Sequence, residues 1–201
     1  MAAARGRGDA GTATRILDVA ERLAQVRGFN GFSYADIAAE LGITKAALHY
    51  HFAGKADLGE ALISRYAARF SAALAAIDAD SSSAPAKLRG YTELYAEVLR
   101  NQRMCLCGML AAEYPTLPGP MRASVVSFFD QNETWLHQAL EQGRGEGTLH
   151  FTGSARATAR MIISCLEGAM LITRPYGDIP RFQDAAANLV AGLTSAAAIQ
   201  D

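Results

Sequence analysis

The chain has 201 residues, half of them hydrophobic, and a formal net charge of −1. This length holds a small unit plus a larger one with its own core, and the composition excludes both a disordered chain and a bulk polycation. Alanine-rich helix formers dominate and β-branched runs are scarce, so the expected class is all-α.

Residues 1–13 lack the apolar core segment of a secretory leader and read as a flexible arm. Arg5 and Arg7 give that arm a basic character suited to a minor groove. A first helix is expected from a cap at Thr12 or Thr14, with Ile16, Leu17, Ala20, Leu23 and Ala24 as its apolar stripe. Gly28 ends it, Phe29 anchors the core, and Gly31 keeps the following turn tight.

The stretch from Phe32 to Lys55 then reads as two short helices joined by a tight turn. Ser33 caps the first, with Asp36 as the return acceptor of a capping box, and Ile37, Ala38 and Leu41 mark its apolar face. Gly42 ends it in a left-handed conformation and Ile43 plugs the turn. Thr44 caps the second, which buries Leu48 and Phe52, four residues apart. Lys45, Ala46, Ala47, His49, Tyr50 and His51 are left pointing wholly or partly outward. A helix-turn-helix lays such a second helix in the major groove. There Lys45 would donate to guanine, and the Ala46 and Ala47 methyls would meet thymine methyls.

In order and spacing, Gly28-Phe29, Ser33, Ile37-Ala38, Leu41-Gly42-Ile43, Lys45 to Leu48, Tyr50-His51-Phe52 and Lys55 resemble the DNA-binding region of the TetR family of bacterial transcriptional regulators. The resemblance implies an N-terminal three-helix helix-turn-helix DNA-binding domain, 14–55, followed by a larger helical effector-binding and dimerisation domain, 56–201. It implies that Tyr50 and His51 touch sugar-phosphate, and that Lys55 grips a phosphate at the start of the next helix. Ser33 and Tyr34 would meet the opposite strand, and Thr44 belongs to the same surface. His49 departs from the pattern, which usually has a phosphate-binding tyrosine there. Histidine would make that contact with a charge that titrates near neutrality. Residues 1–60 carry seven basic against seven acidic side chains, so affinity must come from local placement of charge, not from net charge.

A long fourth helix is expected over 55–79 on the recurrence of Leu58, Leu62, Tyr66, Phe70, Leu74 and Ile77, as an unbroken lever from the reading unit. A loop at 80–85 separates it from a helix over 85–101 with Leu88, Tyr91, Leu94, Tyr95, Val98 and Leu99 inward. Residues 104–114 read as a buried helix, 115–120 as a break, 121–142 as a long helix and 143–147 as a glycine turn. Two last helices, 154–173 and 180–199, are rich in alanine and glycine, and the resemblance pairs them with their copies in a homodimer.

The resemblance also places Tyr66, Phe70, Tyr91, Tyr95, Met104, Cys105, Met109, Phe128 and Trp135 around an effector cavity. Methionine and aromatics there would suit a small apolar or aromatic molecule. The Cys105–Glu113 stretch is similar to that of family members that sense electrophiles or oxidants, which makes Cys105 and Cys107 candidates for a thiol sensor. Three cysteines without framework spacing fit a reducing cytoplasm, and no apolar run reaches transmembrane length. No nucleophile motif, phosphate loop or metal-ligand spacing is present, so no enzyme, cofactor or metal is expected. The implied partners are a palindromic double-stranded operator, a small-molecule effector and a second copy of the chain.

Overall fold

The structure, a computed structural model, describes residues 2–195, with side chains from residue 11 onward. Every regular element among the described residues is helical: α1 Ala2–Arg27, α2 Tyr34–Leu41, α3 Lys45–His51, α4 Lys55–Asp80, α5 Ala84–Arg100, α6 Leu106–Ala112, α7 Gly119–Gly145, α8 Ala155–Thr173 and α9 Ile179–Thr194, with 3-10 turns at Tyr114–Thr116 and Arg174–Tyr176. They form two compact units: one of residues up to Ala67 together with Leu106–Val126, the other of Ala68–Cys105 together with residues from Ser127 onward.

In the first unit, Ile16, Ala20, Leu23, Ile37, Leu48, Leu58 and Leu62 close a core shared by α1 to α4. Two devices hold α4 in place within this unit. Arg65 reaches Asp18 at 2.7 Å and the buried Glu21 at 2.8 Å. Gly59 has no side chain, and a Cβ there would run into Met121 and touch Phe29. Glycine in a helix interior costs stability. Here it permits the close packing of α4 on α7's first turn and the α1–α2 loop.

In the second unit α5, α8 and α9 pack on one another, with Phe182, Ile162, Leu166, Met170 and Leu88 buried. Glu133 of α7 accepts from Arg156 and Arg160 of α8, at 2.8 and 2.9 Å. The His150 amide donates to the Leu193 carbonyl at 2.7 Å, tying the α7–α8 connection to the end of α9.

Several expected boundaries shift. Helix α1 begins at Ala2, before either threonine cap, in place of an arm over 1–13; its first residues are alanines, the strongest helix formers. The side chains of Arg5 and Arg7 lie outside the described residues. Helix α3 ends at His51, and Phe52 is its half-buried C-cap in extended backbone rather than a fully buried position. The glycines read as a turn at 143–147 are partly helical, because α7 runs to Gly145. A Cβ on Gly143 would meet Leu149 and Ala84, so that glycine serves packing; the reversal falls at Gly147, with φ of 66°. Helix α6 is shorter than the expected 104–114, and Ala111 and Ala112 are exposed. The last described helix stops at Thr194, and the rest of the expected 180–199 lies outside the described residues.

Candidate nucleic-acid interface

Local chemistry positions α2 and α3. The Asp36 carboxylate accepts from the Ser33 amide at 2.7 Å and from the Ser33 hydroxyl at 2.6 Å, closing the start of α2. Those hydrogen bonds, the Ser33 hydroxyl's first among them, hold the Asp36 carboxyl below its usual range. Gly42 ends α2 at φ 65°, a conformation that L side chains rarely adopt, and the Ile43 amide returns to the Ala38 carbonyl at 3.1 Å. Thr44 then opens α3, its hydroxyl accepting from the Ala47 amide at 3.2 Å. Leu48 is fully buried beneath.

The outward face that results is compact. Lys45, Ala46, His49 and Tyr50 are exposed, as are Ser33 and Thr44, while Ala47 and His51 are half-buried. Tyr50 is 76 % exposed, the most exposed large hydrophobic side chain among the described residues, and the His51 ring lies edge-on to it. Lys45 makes no ion pair among the described residues. Lys45 at the capped start of α3 and Tyr50 in its last turn thus both stand open to solvent. The His49 Nδ1 lies 3.0 Å from the Ala53 carbonyl. A carbonyl only accepts, so Nδ1 carries the hydrogen, and Nε2 can donate to an anion only in the protonated ring.

Two expected contacts are turned inward. Tyr34 is buried: its hydroxyl donates to the Phe52 carbonyl at 3.0 Å and its ring packs on His49, 4.9 Å between centroids. Burial, with a further push from Asp57, drives its pKa up to about 12. The Lys55 ammonium donates to the carbonyls of Phe29, at 2.5 Å, and Phe32, and lies over both phenyl rings. Burial lowers its pKa, against the opposing influence of Glu113 and Asp36. Lys55 thus ties down the loop between α1 and α2 instead of facing solvent. Glu113 works on the same loop, accepting from the Phe29 amide at 2.6 Å and, at 3.3 Å, from the Asn30 amide. Gly28 is left-handed at φ 85°, and a Cβ on it would strike the Glu113 carboxylate. Sequence reasoning left Glu113 unassigned. The available signal was a lone carboxylate closing an otherwise apolar segment.

The expected effector residues divide between the units. Phe70, Tyr91, Tyr95, Phe128 and Trp135 form one aromatic cluster in the second unit, with Phe70 edge-on to Phe128 at 5.2 Å and Tyr91 stacked on Trp135 at 5.6 Å. Met104 and Cys105 are buried in the same unit, whereas Tyr66 and Met109 belong to the first. A polar chain runs through the cluster. The Tyr91 and Tyr95 hydroxyls are 3.1 Å apart, and that of Tyr91 donates to Asn132 Oδ1 at 3.0 Å. Burial pushes the pKa of both tyrosines up and keeps them protonated. Glu167, half-buried on α8, accepts from the Cys105 thiol, and burial raises its carboxyl to about 7. Its Oε1 is sealed from solvent without a hydrogen-bond partner among the described residues.

Residues 16–62 match the family model of bacterial regulatory proteins, tetR family, and residues 84–189 match that of the tetracyclin repressor-like C-terminal domain. The chain belongs to the TetR family. It is 30 % identical to the transcriptional regulator AcuR of Cereibacter sphaeroides over 72 % of this chain and 68 % of that one. It is 26 % identical to the HTH-type transcriptional repressor NemR of Escherichia coli over 80 % of this chain and 82 % of that one. A TetR-family regulator from Agrobacterium tumefaciens, 33 % identical, superposes with a TM-score of 0.90 over 93 % of this chain and all of that one. As a TetR-family protein the chain is a DNA-binding transcriptional regulator and not an enzyme. Regulators of the family bind DNA operators and small-molecule effectors and act as dimers. Among the described residues no helix is long and apolar enough to cross a membrane.

Proposed function

We propose that this protein is a ligand-responsive repressor, a homodimer that sets its two copies of α3 in successive major grooves of a palindromic operator and is released by a small apolar or aromatic effector. The observation that carries the reading is the face of α3 itself: Lys45, Ala46 and Tyr50 stand exposed on a helix whose start is capped and whose inner side is fixed by a fully buried Leu48. In this reading residues 14–55 do the DNA reading, and 56–201 carry effector binding and dimerisation. Lys45 and the alanines meet base edges, while Ser33, Thr44, His49, Tyr50 and His51 meet the backbone. Lys55 and Tyr34 support that surface from beneath. The name of the related NemR favours a repressor over an activator.

Dimerisation is supported by an apolar surface on α8. Met161, Leu171 and Ile172 are exposed at 44 %, 59 % and 58 %, beside exposed Cys165 and Gly168. Side chains of that size left to water on a helix of this length mark a partner surface. An effector in the second unit would act by binding more tightly to a conformation whose two reading heads do not match the operator, with a coupling of about 1–3 kcal/mol. The Cys105 and Cys107 sensor is the weaker reading. The Cys105 thiol is 2 % exposed and hydrogen-bonded to the Glu167 carboxylate, which shields it from an electrophile in solution.

Selection of bound duplexes from a random pool at physiological salt tests the proposal. A two-fold symmetric motif with half-sites about one helical turn or more apart is the expected outcome. Recovery of an asymmetric motif contradicts it.

A further inference from the structure

A cavity of about 340 Å³ in the second unit opens between the α5–α6 connection and the α8–α9 connection. Its apolar floor is Leu99, Met104 and Ile179, and its polar wall holds Arg103, Arg174 and Thr173. Arg100 and Gln102 stand at its edge, and no acidic side chain lines it. Arg100 is already engaged by Glu93 at 2.5 Å and Glu97 at 2.8 Å. The half-buried Arg103 guanidinium makes no ion pair among the described residues. Thr173 is 2 % exposed, and its hydroxyl has no hydrogen-bond partner among the described residues. A helical threonine ordinarily satisfies itself on the carbonyl four residues back; the Thr173 hydroxyl, sealed and unpaired on a residue that lines the cavity, becomes a donor to an occupant once a turn about χ1 brings it out.

The backbone presents these groups at a cost. Gln102 is left-handed at φ 56°, the only non-glycine residue at positive φ among the described residues, and its amide turns back to the Leu99 carbonyl at 2.8 Å. That reversal brings Arg103 and Met104 onto the cavity wall. A long polar residue held in a conformation that favours glycine persists when the surroundings over-determine it, as at ligand clamps.

We propose that this cavity binds a small organic anion, a carboxylate with a short apolar tail, with Arg103 and Thr173 donating to the carboxylate and Leu99, Met104 and Ile179 covering the tail. A guanidinium without a competing acid, in a partly desolvated pocket, makes a charge-assisted pair with a carboxylate. The cavity is at the small end of ligand sites, and its apolar floor suits an organic tail better than a bare inorganic anion. The site does not depend on the aromatic cluster or on the sign of regulation.

Calorimetric titration of the full-length protein with hexanoate, hexanamide and inorganic phosphate tests this. Hexanoate should bind saturably at millimolar concentration or below, and hexanamide and phosphate should bind at least about tenfold more weakly. Arg103→Gln should weaken hexanoate by about tenfold or more, and Thr173→Val by several-fold. Arg181→Gln, which removes an exposed guanidinium stacked on Tyr176 outside the cavity, should leave it unchanged. If Arg103→Gln melts early, the near-isosteric Thr173→Val carries the test. The proposal is overturned by the lack of saturable hexanoate binding up to about 10 mM. It is equally overturned if hexanamide or phosphate matches hexanoate, or if the intact Arg103 and Thr173 variants bind as the parent does.

Discussion

Both units bury charge, but they resolve it differently. In the first, the Lys55 ammonium and the Glu113 carboxylate converge on the loop at Phe29 and find backbone partners there, so each charge is answered at short range. In the second, Glu167 sits among Tyr91, Tyr95 and Cys105 with one oxygen unanswered, and burial raises its carboxyl to about 7. A paired network of the first kind fixes geometry, as a surface that must match a duplex requires. An unanswered buried group of the second kind leaves a region whose energy changes with protonation or with a ligand's arrival.

Substitutions at these charged and exposed positions separate the two units. The largest effect is expected on the exposed side of the first unit. Lys45→Ala with Tyr50→Ala should reduce operator affinity by about a thousandfold, from the loss of a base-edge donor and a backbone contact, at unchanged melting temperature. Gel retardation beside a thermal melt checks both halves.

Next comes Glu167. Its carboxyl is raised in the folded state, so between about pH 4.5 and 7 the native chain holds a proton that the unfolded chain has released. Stability falls as pH rises through that window, by a few kcal/mol at most, and stays at the lower level above it. Glu167→Gln should flatten that part of a urea-denaturation pH profile, and an identical slope in the variant would remove Glu167 as its source.

Glu113→Ala should cost about 2 kcal/mol, because it strips the Phe29 amide of its acceptor and removes the larger of the two acidic influences on Lys55. Chemical denaturation measures it. The smallest effect belongs to Thr44→Ala, about 1 kcal/mol from a lost helix cap, read by the same method.

How far these features could be read from the chain alone follows from their range. The caps at Ser33 and Thr44 and the left-handed Gly42 are decided within a few residues, so the α2–α3 hairpin was legible almost to the residue. Lys55 was not. Its ammonium is held by carbonyls 26 and 23 residues away, and no periodicity signals that. The Glu113 bond to Phe29 spans 84 residues and is equally silent. Gly143 looked like a turn because glycine ends helices locally, while its actual role is steric, against Leu149 and Ala84. Glu167 did leave a trace, a lone carboxylate in the apolar run Met161–Thr173.

In the proposed function the exposed face of α3, presented twice by a symmetric pair of chains, meets DNA. Its most direct test is titration of a selected duplex at two salt concentrations with the parent protein and with the Lys45→Ala/Tyr50→Ala variant. The expected result is one dimer per symmetric site, affinity falling steeply with salt, and a shallower salt slope with a large loss of affinity in the variant. Equal affinity and equal salt slope for the two proteins would contradict it.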